Sequence, residues 1–329
     1  MPIVISAFTY LSVASPSLSI SRCAVYIRIP QNKDLLKFFI KKHLLFLCAY
    51  NKEKNLVLDL NINSIPFAVF GSDKRQKYLA DLLTEKDCPV FYYENFKDFD
   101  RPAEQNAKIC LLPIPLGDCP DVFISGLQHC HTLFAGCIPP AFEKKAAENK
   151  IVCHDYMRDE TLIWQNTIAT AEGAIAEAMI RFPGNLTRSR CLVIGYGHCG
   201  QTLVAMLNRF LCHITVCDSS QSARSHAAIH AAQCIAPEQL AGILPEVSCI
   251  FNTAPALVLS EELLKLISED TLILDLASAP GGVDYEKAAA LNRQAILLPG
   301  LPGRYAPRAS AEIMLDFILR HIQSTAKRI

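Results

Sequence analysis

The chain has 329 residues, 51% of them hydrophobic, and its 32 basic residues are balanced by 32 acidic ones. This length suits two domains, each large enough to bury a core. The zero formal net charge argues against a nucleic-acid partner. The 14 cysteines include no Cys-x-x-Cys pair, which predicts free thiols in a reducing cytoplasm instead of a disulfide framework.

Residues 1–64 are predicted to be an N-terminal extension outside the main fold. Residues 3–13 are apolar, but no basic residue precedes them, so a signal peptide is not expected. Basic residues then accumulate between Arg22 and Lys54. A membrane-surface helix over Leu35–Leu47 is one interpretation. An extension that adds little to the fold, or one created by a wrongly chosen start codon, is the favoured interpretation.

Residues 65–165 show alternating strand and helix patterns, which predict a Rossmann-like domain around a parallel sheet. The predicted strands are Ile65–Gly71, Val90–Tyr93, Ile109–Leu112 and Leu133–Cys137. His129, Cys130 and His131 precede Cys137, but their spacing matches no common zinc motif. We therefore predict no metal site.

A linker helix is predicted in residues 166–184, starting at the capping-type hydroxyl of Thr170 and stopping at Pro183 and Gly184. Residues 185–303 then form a second Rossmann domain. Its predicted strands are Arg190–Ile194, His213–Cys217, Cys249–Asn252, Leu272–Asp275 and Ala295–Leu298. Residues 304–329 contain a last helix with a broad apolar face, suited to packing back on the first domain. The predicted fold class is α/β, with two doubly wound parallel-sheet domains and an interdomain cleft.

The glycine motif at Gly195, Gly197 and Gly200 follows an apolar strand and opens a helix, as in dinucleotide-binding βαβ units. These glycines allow a tight turn, close approach of a pyrophosphate, and close packing of the helix on the sheet. Asp218 ends the next strand, where a carboxylate accepts hydrogen bonds from ribose hydroxyls. The predicted cofactor site also includes Tyr196, His198, Cys199 and Ser219.

Later motifs resemble those of the dipicolinate synthase A-subunit family of endospore-forming bacteria. The resemblance covers about residue 65 to the C-terminus. It is carried by residues 70–76 (FGSDKRQ), 166–174 (NTIATAEGA), 275–282 (DLASAPGG) and 299–308 (PGLPGRYAPR), together with the glycine motif.

Three positions depart from the pattern of that family. Ala169 stands where proline is usual, and Ala279 stands where a basic residue is frequent. Asp218 stands where a basic residue suited to a 2′-phosphate is frequent. A carboxylate there favours NAD over NADP, although Ser219, Ser220 and Arg224 could form a phosphate pocket. The choice within NAD(P) stays open, with a slight preference for NAD.

The resemblance implies oxidation of dihydrodipicolinate to dipicolinate, with hydride transfer to NAD(P), in the cytoplasm of the mother cell of a sporulating bacterium. It also implies that a B subunit is the partner, beside an expected homo-oligomer, and it implies no membrane contact.

The substrate is a small dianion, so cationic side chains and helix N-termini are expected around it. Arg304 and Arg308, in a Gly/Pro-rich loop after the last strand, are predicted to bind carboxylate. Thr170 and Glu172, at the first turn of the linker helix, are predicted to contact the second carboxylate and a ring proton or water; for Glu172 a purely capping role is equally supported. His198 is expected to face the pyrophosphate or solvent, not to be the base.

The nicotinamide half of the cofactor is expected near two strand ends. The residues predicted to line it are Asn252, Thr253, Ala254, Pro255, Ala277 and Ser278. Two alternatives stay open: a hydroxyacid or alanine dehydrogenase-like enzyme, and a protein that senses nicotinamide redox state without turnover.

Overall fold

The computed structural model describes residues 62–96, 106–117, 119, 121–127 and 129–326. The predictions for residues 1–61, including the helix over Leu35–Leu47, lie outside the described residues. The described residues belong to one compact unit, which contains two parallel sheets. None of the helices in these ranges combines the length and apolar character that a membrane span requires.

The first sheet has five parallel strands in the order β2-β1-β3-β4-β5. They are β1 (Phe67–Phe70), β2 (Val90–Tyr93), β3 (Ile109–Leu111), β4 (Thr132–Ala135) and β5 (Val152–Asp155). Three helices accompany them: α1 (Lys74–Thr84), α2 (Asp121–Gly126) and α3 (Pro140–Glu148). Successive residues of β1 enter opposite apolar clusters, Phe67 and Val69 on one face and Ala68 and Phe70 on the other. Both faces of the sheet are therefore covered.

A long helix, α4 (Glu160–Arg181), leads to the second sheet, whose order is β11-β10-β9-β6-β7-β8. Its strands are β6 (Arg190–Ile194), β7 (His213–Cys217), β8 (Gln233–Ile235), β9 (Cys249–Asn252), β10 (Leu272–Asp275) and β11 (Gln294–Leu297). Its helices are α5 (His198–Arg209), α6 (Gln221–Ala227), α7 (Leu240–Ile243), α8 (Glu261–Leu264) and α9 (Tyr285–Ala290). Two further helices follow the second sheet, α10 (Leu301–Tyr305) and α11 (Pro307–Ala326).

Both strand orders reverse direction beside a central pair, β1 with β3 and β6 with β9. This is the doubly wound arrangement, in which ligands bind outside the carboxyl ends of the strands. The predicted fold class of two doubly wound parallel-sheet domains is confirmed.

Two strands escaped the sequence analysis, β5 and β8, because neither has a strong apolar run. Both lie at a sheet edge, and they carry the polar residues His154 and Gln233. An edge strand is paired on one side only, so its composition resembles that of a loop.

The start of the linker helix was predicted wrongly. Helix α4 begins at Glu160, and its N-cap is Asp159, which accepts a hydrogen bond of 2.7 Å from the backbone N–H of Leu162. Thr170 lies inside the helix, where its hydroxyl donates to the carbonyl of Asn166 at 3.2 Å. A threonine hydroxyl satisfied in this way is tolerated within a helix, so the capping-type residue did not mark a helix start.

Helix α11 packs against the first sheet, although it follows the second in the chain. Its apolar residues belong to the same cluster as Phe67, Leu79 and Tyr156. The contributing residues are Ala311, Met314, Leu315, Phe317 and Ile318. The last helix thus completes the core on one face of the first sheet.

This packing predicts that Ile318→Ala destabilises the protein by about 2 to 5 kcal/mol, because the substitution leaves a cavity in a core that cannot collapse fully. The matched control is Ile180→Ala, since Ile180 is 73% exposed and Ile318 is 0% exposed. The control should change the free energy of unfolding by less than about 0.5 kcal/mol. Urea denaturation measures both, and equal effects of the two substitutions would contradict the packing described.

Candidate active site

The loop between β6 and α5 is built by close backbone approach. Gly195 has a positive φ of 89°, and a Cβ on it would lie 2.5 Å from Oγ1 of Thr253. A Cβ on Gly200 would lie 2.1 Å from the carbonyl oxygen of Gly195. Both positions therefore require glycine for the fold itself.

Gly197 differs from the other two glycines, because a Cβ on it would meet no atom within 4 Å. Its φ of -76° is also accessible to any residue. Gly197 is the N-cap of α5 and makes no side-chain cap, so the first backbone N–H groups of this helix lack a side-chain capping partner. The loop thus offers open space and donors to an anionic group such as a pyrophosphate.

Asp218 follows β7 and is held against the glycine loop. One carboxylate oxygen accepts from the backbone N–H of Tyr196 at 2.7 Å, and the other accepts from the N–H of Ser220 at 2.8 Å. The guanidinium of Arg224 donates to the carbonyls of Asp218 at 2.7 Å and Ser219 at 2.9 Å. The carboxylate therefore lies beside the predicted pyrophosphate position, and the nearby cation is turned toward backbone carbonyls.

His198 and Cys199 occupy the first turn of α5. The His198 ring lies 2.9 Å (Nε2) from a carboxylate oxygen of Glu160 and 4.6 Å, between ring centroids, from Trp164. Both partners belong to α4. Cys199 is half-buried, and burial raises the pKa of its thiol. Sequence reasoning did not identify Glu160 and Trp164 as neighbours of this loop, because the contact joins helices far apart in the chain.

The ends of β9 and β10 form the other half of the site. The Thr253 hydroxyl lies 3.0 Å from the carbonyl oxygen of Ile194 and 3.2 Å from that of Gly195. Asn252 is fully buried, and its amide donates to the carbonyl of Ala254 at 3.0 Å and to Asp275 at 2.8 Å. These two side chains hold the strand ends together, and the backbone N–H groups of Thr253 and Ala254 are bonded to Ile194 and to Asn252.

Asp275 is buried, and its carboxylate accepts the hydrogen bonds that hold this half of the site together. It accepts from the Asn252 amide at 2.8 Å, the backbone N–H groups of Ala277 at 3.1 Å and Gly282 at 2.6 Å, and the Tyr285 hydroxyl at 2.7 Å. Ala277 is thus part of the support, while Ser278 is exposed in the loop that follows. The sequence predicts that Asp275 ends a strand beside the nicotinamide, but it does not reveal the four hydrogen bonds that Asp275 accepts.

The predicted position of Thr170 and Glu172 at a helix N-terminus is wrong, while contact of their side chains with the substrate stays a prediction. Both lie in the interior of α4, ten or more residues after its first residue, Glu160. Backbone N–H groups there are bonded within the helix and cannot hold a carboxylate. Glu172 is exposed.

Arg304 and Arg308 also do not lie in a loop, because residues 301–305 form α10 and Arg308 is in the first turn of α11. Arg304 is half-exposed and donates to Glu177 at 2.8 Å. Arg308 is exposed and pairs with Glu312 at 3.1 Å. The proline and glycine of this stretch suggested a loop, but Pro302 occupies the first turn of α10, where proline is favourable.

Glu177 organises the contact between α4 and α10. Its side chain is 3% exposed and accepts from the Tyr305 hydroxyl at 2.6 Å, from Arg304 at 2.8 Å and from Arg181 at 2.7 Å. The hydrogen bond from Tyr305, reinforced by the two arginines, holds the pKa of Glu177 below its usual value. One turn earlier, a Cβ on Gly173 would lie 2.9 Å from the Tyr305 ring. Gly173 and Glu177 together thus fix how closely α10 approaches α4.

The middle of α10 also contacts the start of α1, the helix that follows β1 of the first sheet. A Cβ on Gly303 would lie 2.8 Å from a carboxylate oxygen of Asp73 and 2.9 Å from Nε of Arg75. Arg75 is buried, pairs with Asp73 at 2.7 Å and donates to the carbonyl of Ile114 at 2.8 Å. Burial alone would raise the pKa of Asp73, but its bonds to Arg75 outweigh this and lower it. This contact joins the carboxyl ends of the two sheets.

Among the residues that the structure describes, no group of three or more His, Cys, Asp and Glu side chains is arranged to hold a metal ion. His129 is exposed, and the Cys130 thiol donates to the carbonyl of Thr132 at 3.2 Å. The geometry therefore points to a dinucleotide site and offers no metal centre in this part of the chain.

Comparison with known proteins agrees with this geometry. No family model matches the chain. It is 26% identical over 298 residues to the A subunit of dipicolinate synthase from Bacillus subtilis, covering 80% of this chain and 98% of the relative. A crystal structure of the A chain of dipicolinate synthase from Bacillus subtilis superposes with a TM-score of 0.70 at 23% identity, covering 81% of this chain and 98% of the other. The predicted resemblance is confirmed.

A transhydrogenase from Sinorhizobium meliloti has the same fold, with a TM-score of 0.59 at 15% identity, covering 78% of this chain and 94% of the other. The two-sheet architecture is thus shared with dehydrogenase-like structures.

The open position at Gly197 predicts that Gly197→Val weakens NADH binding by at least about tenfold, because the new side chain occupies the space of the pyrophosphate. The free energy of unfolding should change little, since the added Cβ meets no protein atom within 4 Å. The control is Gly242→Ala, another glycine with nothing within 4 Å of its Cβ position but outside the loop. Isothermal titration calorimetry tests this, and unchanged NADH affinity in Gly197→Val would contradict the assignment of the loop.

The Glu177 cluster predicts that Glu177→Gln lowers the free energy of unfolding at neutral pH by about 1 to 3 kcal/mol, because a buried charged acceptor of three bonds is lost. The folded-state pKa of Glu177 is lowered, so its contribution is present above the unfolded-state pKa and is lost as the pH falls through the folded-state pKa. The difference between wild type and variant should therefore shrink in acid.

Urea denaturation across the acid range measures this difference. The control is Glu172→Gln, the same change at an exposed position of the same helix, which should be nearly neutral at every pH. A constant difference between wild type and Glu177→Gln down to the lowest pH would refute the role of the carboxylate.

Proposed function

We propose that this relative of the dipicolinate synthase A chain is a nicotinamide-dependent oxidoreductase that converts dihydrodipicolinate to dipicolinate. The observation that carries the proposal is the glycine loop, whose open Gly197 and uncapped helix start lie beside the Asp218 carboxylate. This combination suits the pyrophosphate and the adenosine ribose of a dinucleotide. The name of the curated relative supplies dipicolinate as the product, and the resemblance implies dihydrodipicolinate as the substrate.

The preferred cofactor is NAD. Asp218 would accept hydrogen bonds from the ribose hydroxyls, and its negative charge would repel a 2′-phosphate. Arg224, the nearby cation, already donates to two backbone carbonyls. Both carbonyls bind its Nη1, which leaves fewer donors for a 2′-phosphate and supports NAD over NADP.

The reaction removes a hydride from a ring carbon and a proton from the same ring, and it leaves an aromatic pyridine dicarboxylate. When bound, the nicotinamide ring accepts the hydride. The protein supplies position and charge: the strand ends around Asn252 and Asp275 would hold the nicotinamide half, and Arg304 would bind a substrate carboxylate. Arg304 is held in place by its hydrogen bond to Glu177 and by its contact with the Tyr305 ring.

The proposal includes a partner. The curated relative is named as the A component of its synthase, so we expect this chain to act with a second, B-type component in the cytoplasm of a sporulating mother cell. Self-association of this chain is also part of the expectation.

The decisive experiment incubates the purified chain with dihydrodipicolinate and either NAD⁺ or NADP⁺, with and without the B-type component. We expect the absorbance of dipicolinate and of the reduced cofactor to rise together, in equal amounts, and faster with NAD⁺. Turnover of a hydroxyacid or of alanine in place of dihydrodipicolinate would refute the substrate assignment.

Arg304→Ala distinguishes an enzyme from a redox sensor that binds the cofactor without turnover. The substitution should lower kcat/KM for dihydrodipicolinate by about tenfold to a hundredfold, because a charge-assisted hydrogen bond is lost, while NADH affinity persists. Arg308→Ala tests the second predicted arginine in the same assay, and Arg209→Ala, at an exposed position of α5, is the control. Full activity in both Arg304→Ala and Arg308→Ala would exclude them as carboxylate ligands.

A further inference from the structure

The carboxylate of Asp275 is a buried negative charge whose four hydrogen-bond partners are all neutral. It is 0% exposed, and its donors are one side-chain amide, two backbone N–H groups and one hydroxyl. Because all four groups donate, the carboxyl acts only as an acceptor, as an ionised carboxylate does. Neutral donors stabilise such a charge without cancelling it.

Tyr285 keeps its proton in this arrangement. Burial, together with the hydrogen bond to Asp275 and the negative charge of Asp275, raises the pKa of the Tyr285 hydroxyl. The tyrosine therefore remains a neutral donor over the physiological range, and the charge of the cluster stays on Asp275.

The position of Asp275 in the sheet places this charge at the nicotinamide end of the site. Ile194, Asn252 and Asp275 are direct neighbours across the last row of β6, β9 and β10. The glycine loop follows Ile194, and in doubly wound sheets of this order the two halves of a dinucleotide lie on opposite sides of the switch point. Because Asp218 marks the adenosine side at β7, the β9 and β10 ends are left for the nicotinamide.

We propose that Asp275 makes the site prefer the oxidised nicotinamide, which carries a positive charge, over the neutral reduced ring. This inference rests on the proposed nicotinamide cofactor and not on the identity of the substrate. The buried carboxylate attracts the cationic ring in a medium where charges are poorly screened. The site thereby favours loading of the oxidised coenzyme and release of the reduced one.

The test compares the dissociation constants of NAD⁺ and NADH, measured by calorimetry on the full chain, in wild type and Asp275→Asn. Asparagine keeps the shape and one acceptor oxygen but removes the charge. We expect the preference for NAD⁺ relative to NADH to fall by about tenfold. A residue that only supports the loop would weaken both nucleotides in the same proportion, so an unchanged ratio overturns the proposal.

Asp270→Asn is the matched control, because Asp270 is exposed and precedes β10, at the opposite end of the same strand. It should leave the ratio unchanged, and a fall equal to that in Asp275→Asn would also overturn the proposal. If Asp275→Asn does not fold, Ala279→Lys replaces it, because Ala279 is exposed in the loop that Asp275 holds.

The added cation in Ala279→Lys should lower the preference for NAD⁺ in the same direction, and an unchanged ratio there overturns the proposal. Failure of the proposed function is distinguishable, since a wild-type chain that binds neither nucleotide refutes the cofactor itself.

Discussion

The architecture of the site depends on places where the backbone of a glycine comes so close to a neighbouring group that no side chain would fit. Gly200 meets the carbonyl of Gly195, Gly173 meets the Tyr305 ring, and Gly303 meets Asp73 and Arg75. The first contact packs α5 closely against the sheet, and the second packs α10 against α4. The third packs α10 against the start of α1, beside the first sheet. Each would be lost by adding a methyl group, because the neighbouring atoms are backbone or are themselves held by hydrogen bonds.

Buried ion pairs stabilise the helix packing at two of these close contacts. Glu177 receives three donors on one side of α10, and Arg75 is neutralised by Asp73 on the other. Charges buried in this way are stable only while their partners stay in place. The short helix α10 is therefore held from two directions, although it has only five residues and would not be stable alone.

The sequence predicted the repeating parts of the fold well, because the strands of a parallel sheet are continuous apolar runs between glycine turns. Edge strands such as β8 lack that pattern and were missed. The loop at Gly195 to Gly200 was predicted with its neighbour Asp218, since both depend on local spacing. The hydrogen-bond networks of Glu177 and Asp275 were not, because their partners are distant in the chain and no spacing reveals them.

The same reason explains why Thr170 was wrongly placed at a helix start and Arg304 in a loop. Each residue was interpreted from its immediate neighbours, a hydroxyl before a helical run and an arginine among prolines and glycines. The structure shows that Asp159 caps the helix and that Arg304 is bonded to an acidic residue of another helix. The neighbouring sequence therefore identified residues close to the site, but it did not reveal the groups to which they are hydrogen-bonded.

Because α11 packs against the first sheet, it affects the order in which the two sheets can fold during synthesis. The strands β1 to β5 leave the ribosome well before Met314 and Phe317, yet these residues complete one of their two apolar faces. That face stays open to solvent and to chaperones until α11 has been synthesised. The elements of the second sheet are contiguous in the chain, so this sheet can bury its core before α11 is synthesised.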